Sequence, residues 1–387
     1  MKRSSERILT THTGSIPRPD DLIATMREKE NGRPYDREGM AARVRESVFD
    51  VVAKQCEAGV DVVGDGEQSK SGFASYQAER LGGFEELGPT ASAIRGWREV
   101  KEFPEYYERY FGQAMFGAML APAKSYVCRA PVTYIGQAAL QTDIANLKAA
   151  LEGQTYVEAF VSSANPANLA DQQNEYYNTQ EEFLTALADA VHQEYQAIID
   201  AGFLIQMDDP NASTLWGFSG LSESERAKQS AQRVELINYA LKGIPAEKIR
   251  YHTCFSINQG PHIYDLHLRD YIEPLMQVNA EAISFEVANP RHFHDYHAFE
   301  DIKVPDGKII IAGMISHGHN WVEHPEWIAE MTVNYANLVG RENVMITNDC
   351  GFASQAGSRE VDPKVAWAKF AALAEGARIA SKKLWAG

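Results

Sequence analysis

The chain has 387 residues, 44% of them hydrophobic, and a formal net charge of −16. An acidic balance of that size argues against nucleic acid, whose phosphates demand basic groups, and against anionic membranes. No run of about 18 apolar residues predicts a membrane span, no apolar stretch follows the basic start MKRSSER as a secretory signal would require, and four cysteines are too few for a disulfide framework, so a reducing, cytoplasmic setting is expected.

Eight short runs rich in Val, Ile or Leu read as strands buried on both faces: residues 7–12, 60–64, 131–135, 203–207, 249–252, 282–285, 308–312 and 344–347. Helical stretches lie between most of them. Residues 37–56 have apolar positions at helical spacing and close at Gly59. Residues 69–128 form the longest insertion, in which Trp97, Phe103, Tyr106, Tyr107, Tyr110, Phe111 and Phe116 are expected either to cover a mouth as a lid or to build a small side core. Residues 179–201 close at Gly202, and residues 222–241 begin at Ser222 and end near Gly243. The last helix, 362–383, takes Asp362 as its cap and Pro363 at its first position. This alternation predicts a parallel sheet closed into a single (β/α)8 barrel, a TIM barrel, over residues 1–387. An open doubly wound sheet is the alternative, disfavoured because no Gly-x-Gly-x-x-Gly follows the first strand.

Active-site groups of such a barrel sit just past the strand C-termini. The residues there are His12 and Ser15; Asp65 and Glu67; Gly136 and Gln137; Asp208 and Asp209; Cys254; Glu286; His317 and His319; and Cys350. His252-Thr253-Cys254 stands out. Residues i and i+2 of an extended segment share a face, so an imidazole and a thiol could reach one ion from one strand end. With Glu286 and Cys350 they make a plausible four-coordinate Zn2+ set, which points to zinc-activated thiol chemistry. Arg18, Lys70 and Arg291 could clamp a carboxylate or sulfonate.

The stretches THTGSIPRP, GDGEQSK, IQMDDP, YHTCFSINQGPH, SFEVANPRH, VEHPE and TNDCGF resemble the catalytic barrel of cobalamin-independent methionine synthases, and more closely their single-barrel relatives, which include epoxyalkane:coenzyme M transferase. The resemblance runs from about residue 8 to 380. It implies a barrel of the uroporphyrinogen decarboxylase and methionine synthase type. It also implies zinc held by His252, Cys254, Glu286 and Cys350, and methyl or alkyl transfer from a small donor to a small thiol. In that family the positions of Ser15, Glu67 and Asp208 hold the amino-acid part of homocysteine; Asp209 and Arg18 are counted with them as substrate contacts. The family places an acid after the seventh strand, where this chain has His317 and His319.

The chain departs from the family in length, which suffices for one barrel rather than two. It also reads Pro131-Val132-Thr133-Tyr134-Ile135-Gly136-Gln137 where relatives follow Pro-Val-Thr with a pterin-stacking tryptophan. A folate is therefore expected to be a poor donor, and a smaller epoxide or activated methyl compound a better one. The other readings are an epoxide-opening thiol transferase, a zinc-free decarboxylase-like barrel, and a thiol- or metal-binding protein without turnover. A homo-oligomer is compatible with all of them.

Overall fold

The computed structural model describes residues 1–89, 97–112, 119–122, 124–213, 221–255 and 259–386. Its strands in chain order are β1 (Leu9–Thr10), β2 (Val62–Gly64), β3 (Leu81–Pro89), β4 (Lys124–Tyr134), β5 (Glu158–Ala164), β6 (Gln173–Asn174), β7 (Leu204–Asp208), β8 (Ile249–Thr253), β9 (Ala282–Phe285), β10 (Ile309–Ile315) and β11 (Val344–Asn348). Eight of them form one parallel sheet in the order β1-β11-β10-β9-β8-β7-β5-β2, and a bridge between Thr11 and Val62 brings its two ends together. The result is the (β/α)8 barrel that the alternation predicts.

One expected strand is misplaced. Residues 131–135 fall at the end of β4, which pairs antiparallel with β3 in a three-stranded side sheet. The third strand of the ring is β5, paired with β2 and β7. A short apolar run looks the same in a hairpin as in a buried parallel sheet. The interior of β5, moreover, is Ser162 and Ser163 rather than a β-branched pair. Gly136 and Gln137 accordingly lead from the side sheet into a helix rather than ending a strand of the ring.

The helices are α1 (Asp20–Glu30), α2 (Arg37–Glu57), α3 (Phe73–Arg80), α4 (Arg98–Glu102), α5 (Pro104–Tyr110), α6 (Gln137–Leu151), α7 (Gln180–Asp200), α8 (Glu223–Ala240), α9 (Pro325–Val339) and α10 (Pro363–Trp385), with single turns after β8 and β9. Their starts follow local chemistry. Thr179 and Ser222 each accept from the third helical amide in a reciprocal capping box with Glu182 and Glu225. Asp362 accepts from the amide of Lys364 behind Pro363. These caps place three of the helices within two residues of the limits read from the sequence.

Period-two alternation sorts every barrel strand into an outward row that packs under the helices and an inward row that fills the ring. On β8, Ile249 and Tyr251 join the large core between sheet and helices, so Arg250 and His252 point inward. On β7, Ile205 and Met207 go outward and Gln206 and Asp208 inward. Ala282, Ile309, Ile311 and Met345 pack with Leu9 as one inner layer. Inside the ring the Arg250 guanidinium lies 4.1 Å from the Phe160 ring centroid and donates to Thr11 Oγ1 and to the His12 carbonyl, at 2.8 and 3.0 Å. No described helix is long and apolar enough to cross a membrane.

Candidate functional site

The inward row of β8 ends at His252 and continues to Cys254. Together with Cys350, which follows β11, these residues bring one ligand atom each within 4.8 Å of one another, all buried. The two sulfurs are 3.2 Å apart, and neither cysteine is in a disulfide. His252 Nδ1 faces Ser284 Oγ at 3.4 Å, and its Nε2 is buried without a hydrogen-bond partner among the described residues. Burial, aided by the nearby Arg250 cation, pushes the imidazole pKa down to about 3, so the ring is neutral across physiological pH. A bare imidazole nitrogen beside two thiols is costly unless something binds there. The donor set, one nitrogen and two sulfurs, suits a tetrahedral zinc ion.

Glu286, the remaining residue of the expected set, ends the inward row of β9. Its Oε2 accepts from the amide of Phe255 at 3.1 Å, and its carboxylate groups with His317 and Asp349 rather than with the trio. Asp349 Oδ1 takes the amides of Val287 and Ala288 at 2.9 and 2.8 Å, while Oδ2 is buried without a hydrogen-bond partner. Burial and the charge of Glu286 hold its carboxyl well above the usual range, so Asp349 favours the protonated form. Asp349 is absent from the residues that the sequence singles out; it lies just past the end of β11. The signal was an acid directly before a cysteine, at the end of a run buried on both faces. His317 is thus the histidine brought to Glu286. His319 stands farther out, 3.7 Å from Glu323 and 5.2 Å between ring centroids from Trp321, with its pKa lowered by burial.

The loops after β1 and β2 carry Ser15 and Glu67, and β7 ends at Asp208. Glu67 sits at φ +57°, left-handed and unusual for a residue with a side chain. Its amide donates to Asp65 Oδ1 at 2.9 Å, and its carbonyl accepts from Arg18 at 2.5 Å. Gly14 sits at φ +54°, where a side chain is strained, and a Cβ there would also crowd Glu67 Oε1 at 3.1 Å. Asp208 is inward and accepts from Gln206 Nε2 at 3.0 Å. Burial, and then the charge of Glu67, raise its pKa to about 8. A buried carboxyl raised by the charge of a second carboxylate marks a natural seat for a cation. Ser15 Oγ accepts from the amide of Ala353 at 3.3 Å.

The neighbouring aspartate faces the other way. Asp209 is fully buried, forms an ion pair with Arg233 and accepts from Tyr251 Oη at 2.7 Å on the outward side. The three candidate clamp cations bind main chain: Arg18 the carbonyls of Ala353 and Glu67, Lys70 that of Ser162, and Arg291 that of His262. Tyr134 is buried, with its hydroxyl donating to Glu194 at 2.7 Å.

The excursion between β2 and α6 reaches back over the metal-side loops. Tyr106 Oη donates to the Gln259 carbonyl at 2.5 Å, and the Gln259 amide donates to Tyr110 Oη at 3.0 Å. Tyr110 Oη donates in turn to Glu360 Oε1 at 3.0 Å, and Glu99 accepts from the Ile263 amide at 2.8 Å. Of the expected aromatic cover, Phe116 lies outside the described residues.

Residues 8–104 and 173–373 match the model of the cobalamin-independent synthase catalytic domain. A methionine synthase of Saccharolobus islandicus is 26% identical over 380 residues, covering 97% of this chain and 95% of its own length. A methionine synthase of Sulfolobus acidocaldarius is 25% identical, with 97% and 93% covered. Among solved structures, a B12-independent methionine synthase from Shewanella sp. W3-18-1, in complex with selenomethionine, shares the fold at a TM-score of 0.72 and 18% identity, covering 98% of this chain and all of the other.

Proposed function

The chain belongs to the cobalamin-independent synthase catalytic-domain family, and on that premise we propose that it is a zinc-dependent transferase moving a methyl or small alkyl group onto the sulfur of a small amino-acid thiol. The observation that carries this reading is the buried trio of His252, Cys254 and Cys350, in which an imidazole nitrogen with no hydrogen-bond partner among the described residues stands beside two cysteine sulfurs outside any disulfide. Those residues would hold the ion, with Glu286, the carboxylate that the family resemblance assigns, completing the set. Zinc, when bound, lowers the pKa of a coordinated thiol and so supplies a thiolate near neutral pH.

The chain's own residues would do the rest. Glu67 and Asp208 accept from the ammonium group of the thiol substrate, whose charge relieves their mutual repulsion. The loop around Ser15 offers hydroxyl and amide donors to its carboxylate. A sulfonate thiol without an amine gains nothing from that acidic pair, which favours the amino-acid thiol over the coenzyme M type. His317 would hold a proton for the leaving group of the carbon donor, since an imidazole exchanges protons in the useful range. Helices α4 and α5 would shut water out of the reacting space. Tyr134 has no open ring face, with its hydroxyl committed to Glu194, so methyltetrahydrofolate is expected to be a poor donor.

Assays of the purified protein should pair homocysteine and 2-sulfanylethanesulfonate with methyltetrahydrofolate, an activated methyl compound and an epoxide, alongside zinc analysis. About one zinc per chain and turnover of homocysteine with a small donor are expected. Absence of stoichiometric zinc would overturn the metal half of the proposal. Turnover confined to the sulfonate thiol with the epoxide would replace the substrate half with the epoxide-opening reading.

A further inference from the structure

We propose that His267, His294 and Asp295 form a second divalent-metal site, separate from the cysteine centre and suited to borderline cations such as zinc, cobalt and nickel. One ligand atom from each lies within 4.8 Å of the others. His267 Nδ1 stands 3.6 Å and His294 Nε2 3.9 Å from the same oxygen, Asp295 Oδ1. The two imidazole rings meet edge to face at 5.3 Å. Both histidine side chains are 57% exposed, whereas the carboxylate between them is 4% exposed. Two exposed imidazoles over one buried oxygen could close on an ion by side-chain rotation alone.

The carboxylate is fixed from behind. Asp295 Oδ2 accepts from the Leu268 amide at 3.2 Å and is held by His292 Nδ1 at 2.8 Å. His292 is anchored in turn by Asp265 at its Nε2, 2.9 Å away, and stacks on Phe255 with 4.3 Å between centroids. Ligating carboxylates are typically oriented by such outer partners, which leave one oxygen free for the ion. Two nitrogens and one oxygen, with the outer positions open to water, match imidazole- and carboxylate-tolerant cations rather than the thiol-seeking ion of the buried centre. Because His267 lies in the loop after β8 and His294 in the loop after β9, an ion here would tie those two loops together at the surface.

The test is calorimetric titration of the whole chain, as purified, with Ni2+, followed by Co2+ spectroscopy. The wild type is expected to bind one equivalent with a dissociation constant on the order of micromolar, weakened at least about tenfold in His267→Gln and in His294→Gln, in line with removal of one of three ligands. The corresponding Co2+ ion should show weak ligand-field bands without thiolate-to-cobalt charge transfer, which separates it from any ion held by Cys254 and Cys350. Resident zinc and transfer activity should be unchanged in both variants. Absence of a thiolate-free equivalent in the wild type, or its persistence undiminished in both variants, overturns the proposal whatever the buried centre holds.

Discussion

Cys254 Sγ and Cys350 Sγ lie 3.2 Å apart although 96 residues separate them along the chain. Each follows its own strand, and the ring brings the two strand ends to one mouth. Nothing local favours that approach; it is a product of barrel closure. Cys254→Ser and Cys350→Ser should each lower zinc content from about one per chain to on the order of a tenth after dialysis, with loss of transfer, because a hydroxyl is a far weaker ligand than a thiolate. Full zinc retention in both variants, measured by elemental analysis, would remove these residues from the metal set.

Asp208 and Asp209 are adjacent, yet their substitutions should fail in different assays. Asp208 faces the interior near Glu67, so Asp208→Asn should keep the fold. It should raise KM for an amino-acid thiol by roughly ten- to a hundredfold, the range for a lost charge-assisted hydrogen bond. Asp209→Ala leaves Arg233 buried without its counterion and should cost about 3–5 kcal/mol of stability. Urea melts and steady-state kinetics on both variants check this, and equal stability losses would refute the inward–outward assignment.

Glu360 offers a pH test. Burial raises its carboxyl to about 7, with Tyr110's donated hydrogen bond opposing the rise. The folded state therefore keeps a proton that the unfolded chain has already lost between about pH 4.5 and 7. Its contribution to stability falls as pH rises through that window and levels off above it. A glutamine mimics the protonated form and still accepts from Tyr110. Glu360→Gln should match the wild type near pH 4.5 and exceed it by up to about 3 kcal/mol at pH 8. Parallel denaturant curves at both ends of the range would detect an absent difference.

The seating of α4 and α5 depends on two hydroxyls. Tyr106→Phe removes the bond to the Gln259 carbonyl, and Tyr110→Phe removes those to the Gln259 amide and Glu360. At about 1 kcal/mol per bond, Tyr106→Phe should speed proteolytic cleavage within residues 97–112 roughly fivefold, and Tyr110→Phe, which loses two bonds, roughly thirtyfold. Unchanged cleavage would mean that the apolar packing of Tyr107, Tyr110 and Phe111 holds the segment without them.

The parts of the fold that local chemistry decides were legible in the sequence. Helix limits at Ser222 and Asp362 follow from caps, and seven of the eight ring strands from apolar runs. The third ring strand was missed because its inner end is polar for a reason found elsewhere in the chain. The Ser163 hydroxyl donates to Glu194. The trio of His252, Cys254 and Cys350 was visible as ligand types at strand ends. The grouping of Glu286 with Asp349 and His317 was not, because it depends on how three loops fold over one another. The split between Asp208 and Asp209 was within reach: extending the alternation of β7 one residue past Asp208 gives it.

The ring has one thin seam. Between β1, two residues long, and β2, three residues long, the strands meet at the Thr11–Val62 bridge. Asp61 reinforces this joint by accepting from the Thr10 amide at 2.9 Å and from Arg7. The loops that leave these two strands carry Ser15 and Glu67. An amino-acid head group gripped by both would act as a rivet across the weakest joint of the barrel, adding cross-links where main-chain pairing is sparsest. Amides around Thr11 and Val62 should then exchange faster than those of β8 and β9 in the free protein and slow most when the thiol binds, so that substrate completes the hoop as well as occupying it.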